Sequence, residues 1–167
     1  MPNADEMLAL AATRGGELAV PEMSSRPSRG VAILTCMDVR IDPALMLGLK
    51  RGEAHVIRNA GGLVTDDAIR SLSASQRLLG TTEIVVVMHD DCGLQGASED
   101  DFARSLAADG ALSGPRLGAF TDVEAALRQG LERLRRSPEL PAREHIRGLV
   151  FDPRSGSLRE VKASTGG

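Results

Sequence analysis

Two short segments of the sequence combine thiols with other groups that bind metals or carry charge. In the first, CMDVR, Cys36, Asp38 and Arg40 stand at alternate positions. In the second, HDDCG, His89 and Cys92 are separated by two residues. Two thiolates and one imidazole suit zinc, and three protein ligands leave the fourth tetrahedral position open to water, as in catalytic sites. The residue types therefore indicate a catalytic zinc site, provided that the fold brings the two segments together.

Each segment follows a stretch that is typical of a buried β-strand. Val31–Cys36 is apolar almost to its end, and Glu83–His89 is apolar and largely β-branched between its end residues, as expected of parallel strands covered on both faces. Sites in open α/β sheets form at the carboxyl ends of strands. If the two strands are neighbours, Cys36, His89 and Cys92 converge. Residue types alone leave open a buried cysteine, a surface histidine and a loop cysteine.

The rest of the chain alternates between predicted strands and helices, which indicates an α/β fold with a mainly parallel sheet. Further strands are predicted at Ala54–Asn59 and 146–152, the last with a hairpin partner or extension at 158–161. A helix is predicted at about 4–14, ending at two glycines, and a loop at 109–118. The predicted N-caps are Asp42, Thr65, Ser98 and Thr121, the last two in capping boxes completed by Asp101 and Glu124.

Composition narrows the class of protein. The chain has 167 residues, of which 42% are hydrophobic and 26% are charged, and these values suit one soluble globular domain. A net charge of −3, three Phe, no Trp and no Tyr argue against nucleic acid as a partner. No apolar run approaches the roughly 20 residues of a membrane span, and acidic residues stand where a signal peptide would carry positive charge. We therefore expect a cytoplasmic protein, in which a disulfide is disfavoured.

The two metal motifs resemble those of the β-class carbonic anhydrase family, and so do GEAHVIRNAGGLVTDD between them and VFDPRSGSLREV near the end. The resemblance is greatest to the compact bacterial members and runs from about residue 28 to residue 161. It implies a single α/β domain with a mainly parallel central sheet flanked by helices and an N-terminal helical arm. Residues 1–27 would form the arm and linker, and residues 28–167 the zinc domain.

The resemblance also implies an activity, the reversible hydration of CO2 to bicarbonate by a zinc lyase with one Zn²⁺ per chain. Cys36, His89 and Cys92 would hold the metal. Asp38, paired with Arg40, would orient a zinc-bound hydroxide, and in a closed state Asp38 would become the fourth ligand. Two alternatives stay open at this point, a hydrolase of CS2 or COS with the same fold and metal, and a zinc-stabilised regulatory module without turnover.

Other positions acquire expected roles through the same resemblance. Gly93 matches a residue whose backbone N–H contacts bicarbonate, and Ala60 and Gly61 are expected along the wall of the substrate pocket. Turn chemistry alone is the alternative for this NAGG segment. His55 replaces the aromatic residue of many plant-type members and is a candidate proton relay, with a pocket-lining or hydrogen-bonded histidine as the alternative. His145 has no ligand partner in the sequence and is treated as ordinary.

Two further expectations concern a departure from the family pattern and the assembly. Asp90 stands where the family more often has Ser or Thr, and its carboxylate would either point toward the metal or pair with a basic residue such as Arg58. The family forms dimers or multiples of dimers with active sites near the interface. We therefore expect a homodimer or a tetramer of dimers, in which residues 4–12 pack across a partner, with a frayed terminus as the alternative.

Overall fold

The computed structural model describes residues 3–111 and 114–162. These residues form a five-stranded sheet with helices packed against it, which confirms the predicted α/β architecture. Predictions for the loop 109–118 and for the end of the domain also include residues 112–113 and 163–167, which lie outside the described residues. The strands are β1 (Val31–Cys36), β2 (Ala54–Asn59), β3 (Glu83–His89), β4 (Ile146–Phe151) and β5 (Leu158–Glu160).

The order of strands across the sheet is β2-β1-β3-β4-β5. The first four strands are parallel, whereas β5 returns antiparallel along β4 as the predicted hairpin partner. The register pairs Thr35 with Val87, so the carboxyl ends of β1 and β3 lie side by side. This adjacency is the condition that the two metal motifs require in order to meet.

The helices mostly begin at the predicted capping residues. The Asp42 carboxylate accepts from the Leu45 N–H, and the Thr65 hydroxyl accepts from the Ala68 N–H. Gly80 adopts a left-handed conformation directly after its helix, a common C-terminal signal. The helices are α1 (Asn3–Thr13), α2 (Gly15–Leu18), α3 (Pro43–Leu47), α4 (Asp66–Leu79), α5 (Glu99–Ala108) and α6 (Val123–Arg136).

Three local predictions are corrected. Asp122, not Thr121, caps α6. Its carboxylate accepts hydrogen bonds from the N–H groups of Glu124 and Ala125, and the positive end of the helix dipole favours its negative charge. Ser98 caps α5 as expected, but the Asp101 carboxylate pairs with Arg104 instead of completing a capping box. The glycine pair after α1 opens the short helix α2 instead of ending helical structure.

The core forms where α4 and α6 pack on the sheet. Leu72 of α4 and Leu127, Leu131 and Leu134 of α6 are almost fully buried, because apolar residues three or four apart share one face of a helix. These side chains belong to the same buried cluster as residues of the central strands, so the two helices and the sheet share one core. Among the described residues, no helix has both the length and the apolarity needed to cross a bilayer.

Candidate metal centre

The structure brings together the three side chains that the sequence proposes as metal ligands. Cys36 ends β1, His89 ends β3, and Cys92 follows in the next turn. Their candidate ligand atoms all lie within 4.8 Å of one another. All three residues are buried, and both cysteines are free thiols. The parallel pairing of β1 and β3 thus produces a compact Cys2His donor set.

The hydrogen bonding of His89 leaves one ring nitrogen facing this cluster. Nδ1 lies 2.9 Å from the backbone oxygen of Asp90, and because a carbonyl only accepts, Nδ1 carries the hydrogen. Nε2 is buried and has no hydrogen-bond partner in the described part of the chain. A buried nitrogen without a partner is unfavourable unless another group occupies its lone pair. Metal-binding histidines have this arrangement, with one nitrogen on a carbonyl and the other on the ion.

The two thiols also need a cation if both are to be ionised. Burial raises the pKa of the Cys92 thiol, and the neighbouring Cys36 raises it further. A divalent metal reverses this effect because coordination deprotonates a thiol. The donor set and the unpaired nitrogen therefore fit Zn²⁺, for which thiolate and imidazole are preferred ligands.

Asp38 and Arg40 form a tight pair beside the cluster. Asp38 Oδ1 accepts from the Arg40 backbone N–H at 2.9 Å and from Nε at 3.0 Å, while Oδ2 accepts from Nη2 at 2.8 Å. These bonds from Arg40 hold the pKa of the Asp38 carboxyl well below its usual range. Asp38 Oδ2 lies 3.8 Å from His89 Nε2, so an ionised acceptor stands next to the candidate metal position.

Two residues that the sequence analysis did not place in the site hold this pair. Arg40 Nη1 donates to the Asp91 carboxylate at 2.9 Å, and Nη2 donates to the Asp91 carbonyl at 2.8 Å. Arg58 of β2 donates to the backbone oxygens of Cys36 and Asp38 at 3.1 and 2.8 Å. Asp91 has a positive φ of 57°, uncommon outside glycine. In the sequence, the only indication that Asp91 belongs to the site was its position within the HDDCG motif.

A pocket of about 390 Å³ opens onto the cluster. The backbone of Ala60, Gly61 and Gly93, expected to contact substrate, forms part of its wall. Val39 at its mouth is 98% exposed, so the apolar rim faces outward. The complete lining is Cys36, Met37, Asp38, Val39, Arg40, Ala60, Gly61, Cys92, Gly93 and Leu94.

The NAGG segment forms a 3-10 turn that fixes the pocket wall against the sheet. The Asn59 side chain bonds both backbone groups of Leu63, at 2.8 and 2.9 Å, and so closes the turn. Gly62 has a φ of +66°, and a Cβ built there would lie 3.0 Å from the Cys36 nitrogen and 3.1 Å from the Val87 oxygen. Turn geometry and close approach to the ligand-bearing strands therefore both act at this segment.

His55 lies away from this centre. It pairs with Ala32 near the start of β1, whereas Asn59 pairs with Cys36, so four residues of strand, roughly 13 Å, separate it from the metal end. Nδ1 lies 2.8 Å from the Ser75 hydroxyl, and Nε2 lies 3.1 Å from the Ser25 carbonyl. The hydrogen-bonded alternative describes His55 better than the relay. His145 is exposed at the start of β4.

Asp90 does not pair with Arg58. Its carboxylate forms a two-pronged ion pair with Arg159 of β5, at 2.6 and 2.9 Å. Arg159 lowers the pKa of Asp90, so the charge persists but is directed at the guanidinium. Asp90 therefore pairs with a basic residue, as expected, but the residue is Arg159 and not Arg58. Arg159 reaches Asp90 because β5 returns along β4, which places Arg159 near the carboxyl end of β3.

The carboxyl edge of this parallel sheet presents a Cys2His donor set beside a pocket and an ionised aspartate. These features are typical of the α/β class of zinc metalloproteins. Within this class, the family model described as "Carbonic anhydrase" matches residues 31–110. A curated relative, β-carbonic anhydrase 1 of Mycobacterium tuberculosis, is 46% identical over 138 residues, covering 81% of this chain and 83% of the relative. The chain belongs to the β-carbonic anhydrase family.

Solved structures and a second type of relative extend the comparison. The crystal structure of a carbonic anhydrase from Streptococcus mutans superposes with a TM-score of 0.87 at 39% identity, covering 97% of this chain and 99% of that one. A relative named carbon disulfide hydrolase, from Acidithiobacillus thiooxidans, is 32% identical over 159 residues, covering 83% of this chain and 80% of the relative. Relatives with different named substrates thus resemble this chain.

Proposed function

We propose that this chain is a zinc-dependent enzyme that reversibly hydrates CO2 to bicarbonate, with one Zn²⁺ held by Cys36, His89 and Cys92. The observation that carries the proposal is the buried Nε2 of His89, which has no hydrogen-bond partner among the described residues. It lies within 4.8 Å of both thiols and 3.8 Å from the Asp38 carboxylate. A bound zinc ion supplies Lewis acidity, which lowers the pKa of a coordinated water toward about 7. The family assignment supports the same activity.

The residues around the pocket have distinct roles in this proposal. Asp38 remains ionised and acts as a hydrogen-bond acceptor that orients the attacking oxygen. Arg40 fixes both Asp38 oxygens, so the carboxylate keeps one orientation through the reaction. Gly93, Ala60 and Gly61 line the pocket, and in this proposal the Gly93 N–H and the wall at Ala60 and Gly61 bind substrate. In a closed state, Asp38 would leave Arg40 and take the fourth ligand position itself.

The proposal is tested by stopped-flow CO2 hydration on protein of known metal content. We expect one zinc per chain and activity that disappears when the metal is removed and returns when zinc is restored. Metal-replete protein without hydration between pH 6 and 9 would contradict the proposed activity and would favour the regulatory module.

The activity is expected to rise between roughly pH 7 and pH 8.5, because the attacking group forms by loss of a proton. Asp38 does not cause this change, since its lowered pKa keeps it ionised throughout the interval. Its pairing with Arg40 stabilises the fold above the ordinary carboxyl pKa and is lost only as pH falls toward the lowered value. Initial rates in buffers of matched ionic strength measure the profile, and a flat profile would contradict the loss of a proton that is expected to form the attacking group in this interval.

A second substrate class has one specific observation in its favour, the relative named carbon disulfide hydrolase. CS2 and COS are small and apolar like CO2, and the pocket rim is formed partly by Met37, Val39 and Leu94. Parallel assays with the three gases on the same zinc-loaded sample decide between them. Turnover of CS2 or COS without CO2 hydration would replace the proposed substrate.

We also propose that residues 1–27 are an arm and linker that join two copies of the zinc domain formed by the rest of the chain. No residue of α1 is buried, and Met7, Leu8 and Leu10 are 63% to 69% exposed. A helix of 11 residues has little stability of its own. We therefore propose that the exposed apolar residues of α1 pack against a partner chain. A second copy of this chain fits the assembly expected from the family.

Deletion of residues 1–20 is expected to weaken self-association, because it removes this exposed apolar helix without removing a strand. Sedimentation velocity over a range of concentrations measures the change. Zinc content near that of the full chain serves as the control for an intact domain. A truncated chain that sediments as the same oligomer at every concentration would contradict the proposed role of the arm.

A further inference from the structure

Arg159 links the edge strand β5 to the residue that follows the His89 ligand. Its Nη1 and Nη2 donate to the two carboxylate oxygens of Asp90 at 2.6 and 2.9 Å, the two-pronged geometry that only arginine offers. Its Nε donates to Glu124 of α6 at 3.2 Å. The guanidinium is thus fixed between α6 and the loop after β3.

Asp90 is in turn held at each of its polar groups. Its N–H donates to the Phe151 carbonyl of β4 at 2.9 Å, and its carboxylate accepts from Arg159. Its carbonyl accepts from His89 Nδ1 at 2.9 Å. This last bond determines the tautomer and the orientation of the imidazole, so a displacement of Asp90 would turn Nε2 away from the thiols.

We propose that Arg159 is a positioning residue for the metal centre, which through Asp90 holds the His89 imidazole with Nε2 directed at Cys36 and Cys92. The proposal rests on the zinc site described under the proposed function. In the described part of the chain, Arg159 forms no hydrogen bond with Cys36, His89 or Cys92, so its effect passes through one ion pair and one backbone hydrogen bond.

The ion pair between Asp90 and Arg159 also affects the electrostatics of the proposed metal site, because Asp90 carries a negative charge. A serine or threonine at this position would need no cationic partner. A carboxylate beside a zinc site without a partner would add negative charge next to the coordinated water. The Arg159 guanidinium neutralises this charge and directs it away, so Asp90 and Arg159 act as one unit and their substitutions should be coupled.

The test measures zinc affinity by competition with a chelator for the wild type, Asp90→Ala, Arg159→Ala and the double variant. We expect each single substitution to weaken zinc binding by about tenfold, the usual consequence of removing a group that orients a ligand. The double variant should bind zinc about as well as the weaker single variant, because both remove the same link. In the single variants, solvent exchange of the His89 Nδ1 proton, followed by NMR, should become faster.

The matched control is Arg147→Ala. Arg147 of β4 forms the same two-pronged pair with Glu160 of the edge strand β5, at 2.8 Å for both bonds. Among the described residues, the Arg147 side chain forms no hydrogen bond with the loop that carries Cys92. The zinc affinity of the Arg147→Ala variant and the exchange rate of its His89 Nδ1 proton are expected to stay within about twofold of the wild type.

Three results would overturn the proposal. They are a zinc affinity of Arg159→Ala within about twofold of the wild type, effects of the two single substitutions that multiply in the double variant, and an equal loss in Arg147→Ala. If Arg159→Ala does not fold, Arg159→Lys replaces it, since lysine keeps the charge but not the fork, and it should still weaken zinc binding measurably. Wild-type protein that binds zinc but does not hydrate CO2 would refute the proposed activity and leave this affinity test intact.

Discussion

The Asp38→Asn variant is expected to keep one zinc per chain and to lose CO2 hydration by about a hundredfold or more. The three proposed ligands are untouched, so metal content should not change. The amide has nearly the same size as the carboxylate, and the pocket keeps its volume. The substitution changes the charge and the hydrogen bonding of the side chain, because an NH2 donor replaces one of the two acceptor oxygens.

The geometry explains why this loss should be large. Both Asp38 oxygens accept hydrogen bonds from Arg40, and Oδ2 is also the oxygen that lies 3.8 Å from His89 Nε2. An amide placed there must direct its NH2 either at the guanidinium, where two donors meet, or at the metal side, where an acceptor is needed. Each orientation removes one function of the residue.

Asp91→Asn is the matched comparison for this variant. Asp91 also pairs with Arg40, at 2.9 Å, but its side chain is 56% exposed and forms no hydrogen bond or ion pair with His89 in the described structure. We expect a loss of less than about tenfold, as for an ion pair open to solvent. Equal losses in the two variants, or loss of zinc from Asp38→Asn, would contradict the assigned role of Asp38.

The sequence was sufficient to place the candidate metal ligands at strand ends, because the ends of strands follow from short-range patterns, whereas the pairing of β1 with β3 had to be assumed. Cys36 and His89 each end a strand, and parallel neighbours present those ends at one edge. His55 could have been separated from the site by the same reasoning, since it lies four residues before the end of β2. The relay was suggested because His55 replaces the aromatic residue of many plant-type members, and the strand register argues against it.

The partner of Asp90 could not be predicted from local pattern. Arg58 lies nearer along the chain, but it is occupied by two backbone carbonyls of the first motif. Arg159 is 69 positions away and reaches Asp90 only because β5 turns back along β4. Long-range ion pairs depend on the position of edge strands, which periodicity predicts only approximately. The prediction of Thr121 as a cap was wrong by one residue, because the neighbouring Asp122 is also a good N-cap and its carboxylate accepts from two N–H groups of the first turn.

Gly62→Ala is expected to destabilise the zinc-free fold by about 3 kcal/mol, a large fraction of the stability of a domain of this size. The left-handed conformation at a φ of +66° disfavours any side chain by about 1 to 2 kcal/mol. The added methyl group also collides with backbone, which overpacking studies value at about 1 to 3 kcal/mol. Urea unfolding of the metal-free protein measures the change.

The matched control is Gly48→Ala, which separates the two causes. Gly48 has a φ of +63° with no atom within 4 Å of an added Cβ, so only the conformational cost of about 1 kcal/mol applies. At Gly62 the obstructing atoms are the Cys36 nitrogen, the Thr35 carbonyl carbon and the Val87 oxygen. These belong to the two central strands that carry the proposed ligands, and hydrogen bonds on both sides prevent them from moving apart.

The same collision should also weaken zinc binding in Gly62→Ala. Relief of the contact requires β1 and the 3-10 turn to separate near Cys36, which moves one thiol relative to His89 and Cys92. Chelator competition should therefore show weaker zinc binding in Gly62→Ala and unchanged binding in Gly48→Ala. Equal destabilisation of the two variants, or full zinc affinity in Gly62→Ala, would mean that NAGG acts through turn geometry alone, without fixing the strand that ends at the metal.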